Sequence, residues 1–294
     1  MTWQLLSSAY LILGTATYLL QRKLGQALPK HKRLVTGFFF IFIHYPMGLL
    51  VALSLSHNLD IGRLNALFLL AGGWVFPIIN LLALRANKTV DAGLFTILSN
   101  IAPIITIVTA YFLLHEHLDH HQFLGAVIIL ASASLVTLPG LFNRRKASLS
   151  SGLLFALACF LLTGLATVYE TWMLSRIDLG AYLILGWGSQ TLWTAVVTWP
   201  ERKQLKVLKI RKNFAPILGY ALANSLKGIC FVAALKLSDS ASLVTAFTSF
   251  MAVMVVVAAY FILKERSWLW IKIGAAVAGS AGLFILNGVW HIAW

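Results

Sequence analysis

Ala110–Glu116, with the sequence AYFLLHE, recurs half a chain later as AYFILKE at Ala259–Glu265. Further matches at the same spacing are Gly125-Ala126 with Gly274-Ala275, Leu94 with Leu243, and Thr96 with Thr245. Both copies lie in strongly apolar surroundings. An internal duplication in an apolar chain is typical of membrane proteins built from two related helical halves that enclose a site between them. The repeat therefore predicts a fold in two related parts.

The composition of the 294-residue chain indicates a membrane protein. Hydrophobic residues make up 60% of it and charged residues 11%, and the mean hydropathy is +0.85. Runs of about 20 apolar residues recur, each long enough to cross the hydrocarbon core as a helix, whereas the alternation of a membrane barrel is absent. We predict an all-α integral membrane protein with ten transmembrane helices, at about residues 3–21, 35–56, 65–84, 92–114, 122–141, 152–173, 181–199, 214–235, 240–263 and 268–287.

The positive charge is concentrated on one side of the predicted helices. The loops that follow odd-numbered helices (the odd loops) carry 18 of the 23 Lys and Arg residues, whereas the even loops carry Arg63, Arg176 and Lys236. This asymmetry is the positive-inside signature. It predicts a cytoplasmic (inner) membrane protein with odd loops in the cytoplasm and both termini outside. The net charge of +14 then reflects topology and contact with the anionic lipid bilayer rather than nucleic-acid binding.

The predicted helices divide into two sets of five. Residues 1–141 form the first five-helix repeat, residues 142–151 the linker, and residues 152–294 the second repeat. Because five is odd, the second copy enters the membrane in the opposite sense to the first. Such inverted repeats can exchange conformations, so that the site between them opens to each side in turn.

Two five-helix repeats, each with an aromatic turn that ends in Glu before a Gly- and Ala-rich last helix, resemble the EamA-like ten-helix members of the drug/metabolite transporter (DMT) superfamily. Asn100-Ile101-Ala102-Pro103 is similar to the proline-bearing fourth helix of that family. The resemblance implies secondary transport, with export of metabolites or amino acids a common role. Two features depart from it. The second repeat has Ala252 in place of Pro103, which predicts an asymmetric kink, and family members usually place both termini in the cytoplasm.

Lys227 and Glu170 are the strongest functional candidates. An ionisable group inside a membrane helix is costly unless it is paired or solvated, so it marks a functional site by default. Lys227 lies near the middle of predicted helix eight, and its side chain is long enough to reach Glu170 on helix six. Lys227 either holds an anionic substrate group or forms an ion pair with Glu170 that breaks during transport. A static ion pair, or a lysine that extends to the membrane interface, is the alternative interpretation.

Polar and aromatic residues on other helices are further candidates for substrate binding. They can orient a small ligand through hydrogen bonds and aromatic faces, although Ser, Thr and Trp in membrane helices often have structural roles. The candidates are Trp74, Asn80, Asn100, Tyr169, Trp187, Gln190, Asn224 and Thr248, and the predicted hinge or kink residues are Pro46, Pro77 and Pro103.

The sequence disfavours ATP-driven transport and catalysis. It has no Gly-rich phosphate-binding loop. The His-rich segment 115–121 does not match a zinc-protease motif, and the second copy of the repeat has no histidine there, so we interpret it as a surface turn. We expect no catalytic residues, no metal and no cofactor.

The predicted function is secondary export of a small metabolite, such as an amino acid or related zwitterion or anion, with proton coupling through Glu170. The alternatives are a channel or lipid-handling protein, or a His-dependent membrane enzyme. The oligomeric state is left open.

Overall fold

A computed structural model describes residues 2–27, 36–55, 58–89, 98–142, 151–203, 211–263 and 269–286. The regular elements within these ranges are helices, and none of these residues is in a strand. The prediction of an all-α chain is thus confirmed. Most of the predicted linker, residues 143–150, and the recurring Glu265 lie outside the described residues.

The helices, with an interrupted helix given a single label, follow one another along the chain. They are α1 (Trp3–Ala27), α2 (a π-helix at Phe38–His44 and an α-helix at Tyr45–Ala52), α3 (Arg63–Gly72 and Val75–Thr89), α4 (Ile101–Leu113), α5 (His120–Phe142), α6 (Ser151–Leu174), α7 (Leu179–Ala181, a π-helix at Tyr182–Gly186, and Trp187–Thr198), α8 (Arg211–Ser238), α9 (Ala241–Thr248 and Met251–Leu263) and α10 (Leu269–Leu286).

Among the described residues, three helices are long and apolar enough to cross a membrane, judged by length and composition alone. They are Arg63–Ala83, Gly152–Leu174 and Ala215–Ser238. Shorter apolar helices of 10 to 17 residues accompany them, among them Phe38–Ala52 and Ala241–Val255. The number of membrane crossings therefore stays a prediction.

Three prolines lie where helices change their hydrogen bonding. Pro46 follows the π-helix of α2, and Pro77 and Pro103 are each the third residue of a helical segment, after turns at Gly73-Trp74 and Asn100. Proline has no backbone N–H, so the carbonyl four residues earlier loses its helical partner. The predicted kink residues thus coincide with interruptions of regular α-helix.

Helix α9 is also interrupted, at the position that corresponds to the interruption before α4, although the replacement of Pro103 by Ala252 predicts an asymmetric kink. Ser249 and Phe250 form a turn, although Ala252 takes the place of a proline there. The hydroxyls of Thr248 and Ser249 donate to the Thr245 carbonyl at 3.2 and 2.8 Å. Such bonds to the preceding turn bend helices, and here the backbone switches to shorter-range bonds, as from Phe250 N–H to the Phe247 carbonyl at 3.2 Å.

The helices pack in pairs around a common centre. Helix α1 lies along α8, α3 along α6, and α5 along α10, while α4 packs on α6 and the first half of α9. A buried apolar cluster gathers residues of α2, α3, α6, α7, α8 and α9 at the ends that lead to the even loops. Its largest members include Met173, Tyr182, Leu183, Trp187 and Leu235.

Glycines bring α5 and α10 into backbone contact. A Cβ atom on Gly125 would lie 2.6 Å from the backbone nitrogen of Leu286 and 2.8 Å from the Gly282 carbonyl oxygen. Small residues at such interfaces let membrane helices approach closely. Around Gly274, the counterpart of Gly125 in the repeat, no atom of the described residues lies within 4 Å of an added Cβ, so no comparably close contact is seen there.

We expect Gly125→Ala to lower the thermal stability of the protein, because the added methyl group meets backbone atoms that cannot move aside. Overpacking of this kind costs about 1–3 kcal/mol. Gly274→Ala is the matched control and should change the unfolding temperature little. The two variants can be compared by thermal unfolding in detergent, and equal effects would contradict the α5–α10 contact.

Candidate functional site

A cavity of about 280 Å³ with both apolar and polar lining lies between α1, α3, α4, α6, α8 and α9. It is bordered by the interruptions at Asn100 in α4 and Ser249 in α9. Broken helices inside a membrane protein commonly form substrate sites, because freed backbone groups face the ligand. The polar side chains that line the cavity are Tyr10, Thr17, Tyr18, Asn80, Ser99, Asn100, Thr106, Thr163, Thr167, Tyr220, Asn224, Lys227, Thr245, Thr248 and Ser249.

Lys227 is the cation of this cavity. Its Nζ lies 5.7 Å from the centroid of the Tyr10 ring, close enough for a cation–π interaction. Among the described residues no carboxylate lies within ion-pair distance of Lys227, and none lines the cavity. Gly14 lies against the lysine stem, since an added Cβ there would be 3.5 Å from Lys227 Cδ, and its lack of a side chain leaves room for the sulfur of Met251. The cavity therefore carries one positive charge without a protein counter-ion in the described part of the chain.

Glu170 lies outside the cavity. Its side chain on α6 is buried, and Oε1 accepts a 2.8 Å hydrogen bond from the Tyr182 hydroxyl. Gln190 also interacts with that hydroxyl. Neither Glu170 nor Gln190 lines the cavity, and the expected ion pair between Glu170 and Lys227 is not formed within the described residues.

Trp187 is a packing residue beside the cavity. It is 1% exposed and stacks on the His44 ring with centroids 3.5 Å apart. Gly48 and Gly228 flank the stack, since Cβ atoms on them would approach the Trp187 ring to 2.5 and 3.6 Å. Because Trp187 belongs to the apolar cluster at the even-loop ends, it supports the wall behind Lys227 and does not line the cavity.

The interruption of α3 explains the role of Tyr169, another predicted site residue. The carbonyls of Phe68, Leu69 and Leu70 lie in the last turn before the interruption at Gly73-Trp74, where Leu69 also accepts from the Gly73 N–H at 3.0 Å. Tyr169 Oη donates to the Phe68 carbonyl at 2.7 Å, Ser189 Oγ to Leu69 at 2.8 Å, and Trp193 Nε1 to Leu70 at 2.7 Å. Backbone groups at helix ends need such partners in an apolar surrounding. Tyr169 thus secures the end of a half-helix, and Trp74, 44% exposed, lies outside the cavity.

Two further side chains of the cavity keep hydrogen-bonding capacity. In the described part of the chain, neither the buried Thr245 hydroxyl nor the Asn224 amide has a hydrogen-bond partner. Asn224 and Lys227 are three residues apart on α8, which places them on one face of the helix. An ammonium group, a neutral amide and a hydroxyl therefore open into the same space. Such a set suits a carboxylate, which accepts hydrogen bonds only.

The structure brings together half of the predicted substrate-binding residues. Asn80, Asn100, Asn224, Lys227 and Thr248 line the cavity, whereas the five others, just described, lie outside it. Sequence reasoning missed the α1 face of Tyr10, Gly14, Thr17 and Tyr18 and the α6 face of Thr163 and Thr167. The signal was present: these residues recur three or four apart in apolar helices, the spacing of a single helical face.

The comparisons with known proteins agree with this architecture. Residues 3–138 match the model of the EamA-like transporter family. The first part of the chain is thus similar to the EamA-like transporter family. A solved structure, described only as a crystal structure of a protein, has a TM-score of 0.69 over 98% of this chain and 96% of its own, at 14% sequence identity. At that identity the likeness shows the shared fold alone. No curated protein matches the sequence.

The family confirms the predicted resemblance to the DMT superfamily. Residues 3–138 are thus similar to a family of membrane transporters. Members of this family are transporters rather than enzymes. In the described part of the chain, no group of three or more His, Cys, Asp or Glu side chains is arranged to hold a metal ion.

We expect Tyr169→Phe to lower the free energy of unfolding by about 1 kcal/mol, the usual contribution of one hydrogen bond, because it removes the donor to the Phe68 carbonyl. Tyr220→Phe is the control. It removes a hydroxyl that lines the cavity and makes no hydrogen bond among the described residues. Chemical or thermal unfolding in detergent compares them, and equal destabilisation would contradict the structural role of Tyr169.

Proposed function

We propose that the protein is a secondary transporter that exports a small organic metabolite across the cytoplasmic membrane through the cavity around Lys227. In this proposal residues 1–141 and 152–294 form inverted five-helix repeats joined by residues 142–151. Their rocking opens the cavity to the odd-loop side and the even-loop side in turn, with the odd loops in the cytoplasm.

The packing of the helices supports the inverted repeats. Exchange of the two halves converts α1 into α6 and α3 into α8, so the α1–α8 pair becomes the α6–α3 pair, and both pairs pack in the structure. In the same way α4 on α6 corresponds to α9 on α1, and both contacts are present. The turns at Asn100 and Ser249 have the spacing of the sequence repeat. A two-fold related bundle of this kind can adopt two mirrored access states.

The unpaired charge of Lys227 is the observation that carries the choice of substrate. A buried ammonium group is costly without an anionic partner, and this cavity provides only the Tyr10 ring and neutral polar groups. A substrate carboxylate supplies the missing charge, and Asn224 and Thr245 can donate to its oxygens. The small volume limits the ligand to roughly the size of an amino acid. We therefore propose an amino acid, or a related zwitterion or anion, as the substrate.

Ligand-induced stabilisation tests this assignment. Purified protein is heated with amino acids and organic acids, and in parallel with the corresponding carboxamides and amines. The proposal predicts that one or more carboxylates raise the unfolding temperature while the matching carboxamides do not. Stabilisation by amines or by the carboxamides to the same extent would contradict the role of the carboxylate.

We expect Lys227→Met to weaken binding of the stabilising carboxylate at least tenfold, because removal of one partner of a buried charge pair costs about 2–5 kcal/mol. Without ligand the variant should be as stable as the wild type or more stable, since a buried unpaired charge has been removed. Lys203→Met, at an exposed position, is the control for loss of charge. Unchanged affinity of Lys227→Met would remove Lys227 from the site.

Glu170 is the residue that we assign to proton coupling. It is buried in α6, and its bond to Tyr182 depends on its protonation state. Glu170→Gln should abolish the pH dependence of transport, measured as uptake into proteoliposomes over a series of pH values. Asp178→Asn, which removes an exposed carboxylate of the even side, should leave the dependence intact. An unchanged profile in Glu170→Gln would end the coupling proposal.

A further inference from the structure

The carboxylate of Glu116 joins the two halves of the chain at the even-loop side. Glu116 follows α4, and its oxygens accept three hydrogen bonds from the beginning of α9. Oε2 accepts from Ser240 Oγ at 2.9 Å and from the Ser242 backbone N–H at 3.0 Å, and Oε1 accepts from the Ala241 N–H at 2.8 Å. Charge-assisted bonds of this type are about twice as strong as neutral ones.

The backbone on both sides is shaped for this contact. His115 adopts a left-handed conformation with φ of 54°, and the Leu114 and Glu116 N–H groups both bond to the Ala110 carbonyl. The chain therefore turns sharply after α4 and directs Glu116 toward α9. On the opposite side Asp239, with φ of 52°, separates α8 from Ser240, which caps α9.

The contact completes the start of α9. Ser240 Oγ accepts from the Leu243 N–H at 3.2 Å, so Glu116 and Ser240 together satisfy the first three N–H groups of the helix. The helix dipole also favours a negative charge at this end. No partner within the second half replaces Glu116 in the described structure, so the first half of α9 is completed by a residue of the first half of the chain.

The position of the Glu116 contact relates it to access to the cavity from the even-loop side. Below it Ala110, Val168 and Ala241 pack as a buried cluster, so α4, α6 and α9 meet without space between them. The same half of α9 carries Thr245 and Thr248 into the cavity. Separation of the even-loop ends of α4 and α9 must therefore break the Glu116 bonds.

We propose that Glu116 is a latch, whose hydrogen bonds hold together the even-loop ends of α4 and α9. These two ends form the even-loop gate, which closes the cavity toward the even loops. This inference rests on the proposed alternating access. With the bonds to Ser240, Ala241 and Ser242 made, the cavity is closed toward the even loops. Opening toward that side requires the Glu116 carboxylate to leave these donors and to be hydrated, and the bonds re-form when the gate closes. The latch acts on the first half of α9 and does not contact the substrate.

The test measures access to the cavity directly. A cysteine is placed at Thr248 in a background with Cys159→Ser and Cys230→Ser, and membrane-impermeant maleimide is applied to vesicles from either side. A separate Asp60→Cys variant, in an exposed loop, identifies the even-loop side. Labelling of Thr248→Cys is compared with and without Glu116→Gln, Glu116→Ala and the control Asp178→Asn.

The proposal predicts that Glu116→Ala raises the rate of labelling from the even-loop side about tenfold relative to that from the odd-loop side, a shift of about 1.4 kcal/mol in the gate equilibrium. Glu116→Gln, which keeps an acceptor oxygen but loses the charge, should give a smaller rise. Asp178→Asn should give none. A stable, monodisperse Glu116→Gln protein with an unchanged ratio would overturn the latch, and so would equal increases from both sides, which indicate general loosening.

The labelling ratio does not require transport, so the two proposals fail separately. If wild-type protein transports none of the carboxylates but the ratio shifts as predicted, the substrate assignment fails and the latch stands. If a substrate is transported and the ratio does not shift, the latch fails and the transport proposal stands.

Discussion

Backbone groups released by interrupted helices must find partners inside an apolar bundle, and the rest of this structure depends on how they do so. An unsatisfied amide or carbonyl in such a setting costs several kcal/mol. The break in α3 is satisfied by side chains of α6 and α7, the turn in α9 by its own hydroxyls, and the start of α9 by Glu116. The solutions at the break in α3 and at the start of α9 use residues from the other half of the chain. The interruptions therefore bind the halves together and at the same time leave a polar space between them.

The distribution of these bonds favours movement of half-helices over movement of single side chains. Donors from α6 and α7 fix the first half of α3, and Glu116 fixes the first half of α9. The cavity side chains, by contrast, make few bonds beyond their own helix, and the Lys227 ammonium lies over the Tyr10 ring without a carboxylate partner in the described part of the chain. A carboxylate ligand would add interactions where the protein has few, which is the condition under which a ligand shifts the balance between two conformations.

The sequence predicted the fold better than the site. Composition and the recurrence at Glu116 predict helices, two halves and the resemblance to the family. The length of an apolar run and the spacing of a repeat do not depend on which face of a helix points inward. Residue type does not reveal which way a side chain faces. Trp187 and Gln190 have the chemistry of ligand contacts, yet the π-helix at Tyr182–Gly186 shifts the helical register before them, and both point away from the cavity. Lys227 and Asn224 both line the cavity, because they share one face of α8.

The Glu116 contact illustrates a different limit. Its recurrence marks the residue as special at the end of a helix, but the partner is a backbone segment far along the chain that only the folded structure brings near. The same holds for Tyr169, whose acceptor is a backbone carbonyl near the end of a helical segment in the other half of the chain. Nearly every residue type carries the same backbone donor and acceptor, so the sequence does not indicate which backbone groups a distant side chain will bind.

Counterflow in proteoliposomes tests the central claim most directly. Vesicles are loaded with one unlabelled carboxylate from a panel of amino acids and organic acids, and entry of the labelled compound from outside is followed over time. The account predicts saturable uptake that rises only when a matching carboxylate is present inside, because the two access states exchange through a single cavity. Uptake that is indifferent to the internal compound and does not saturate would contradict a carrier and indicate a channel.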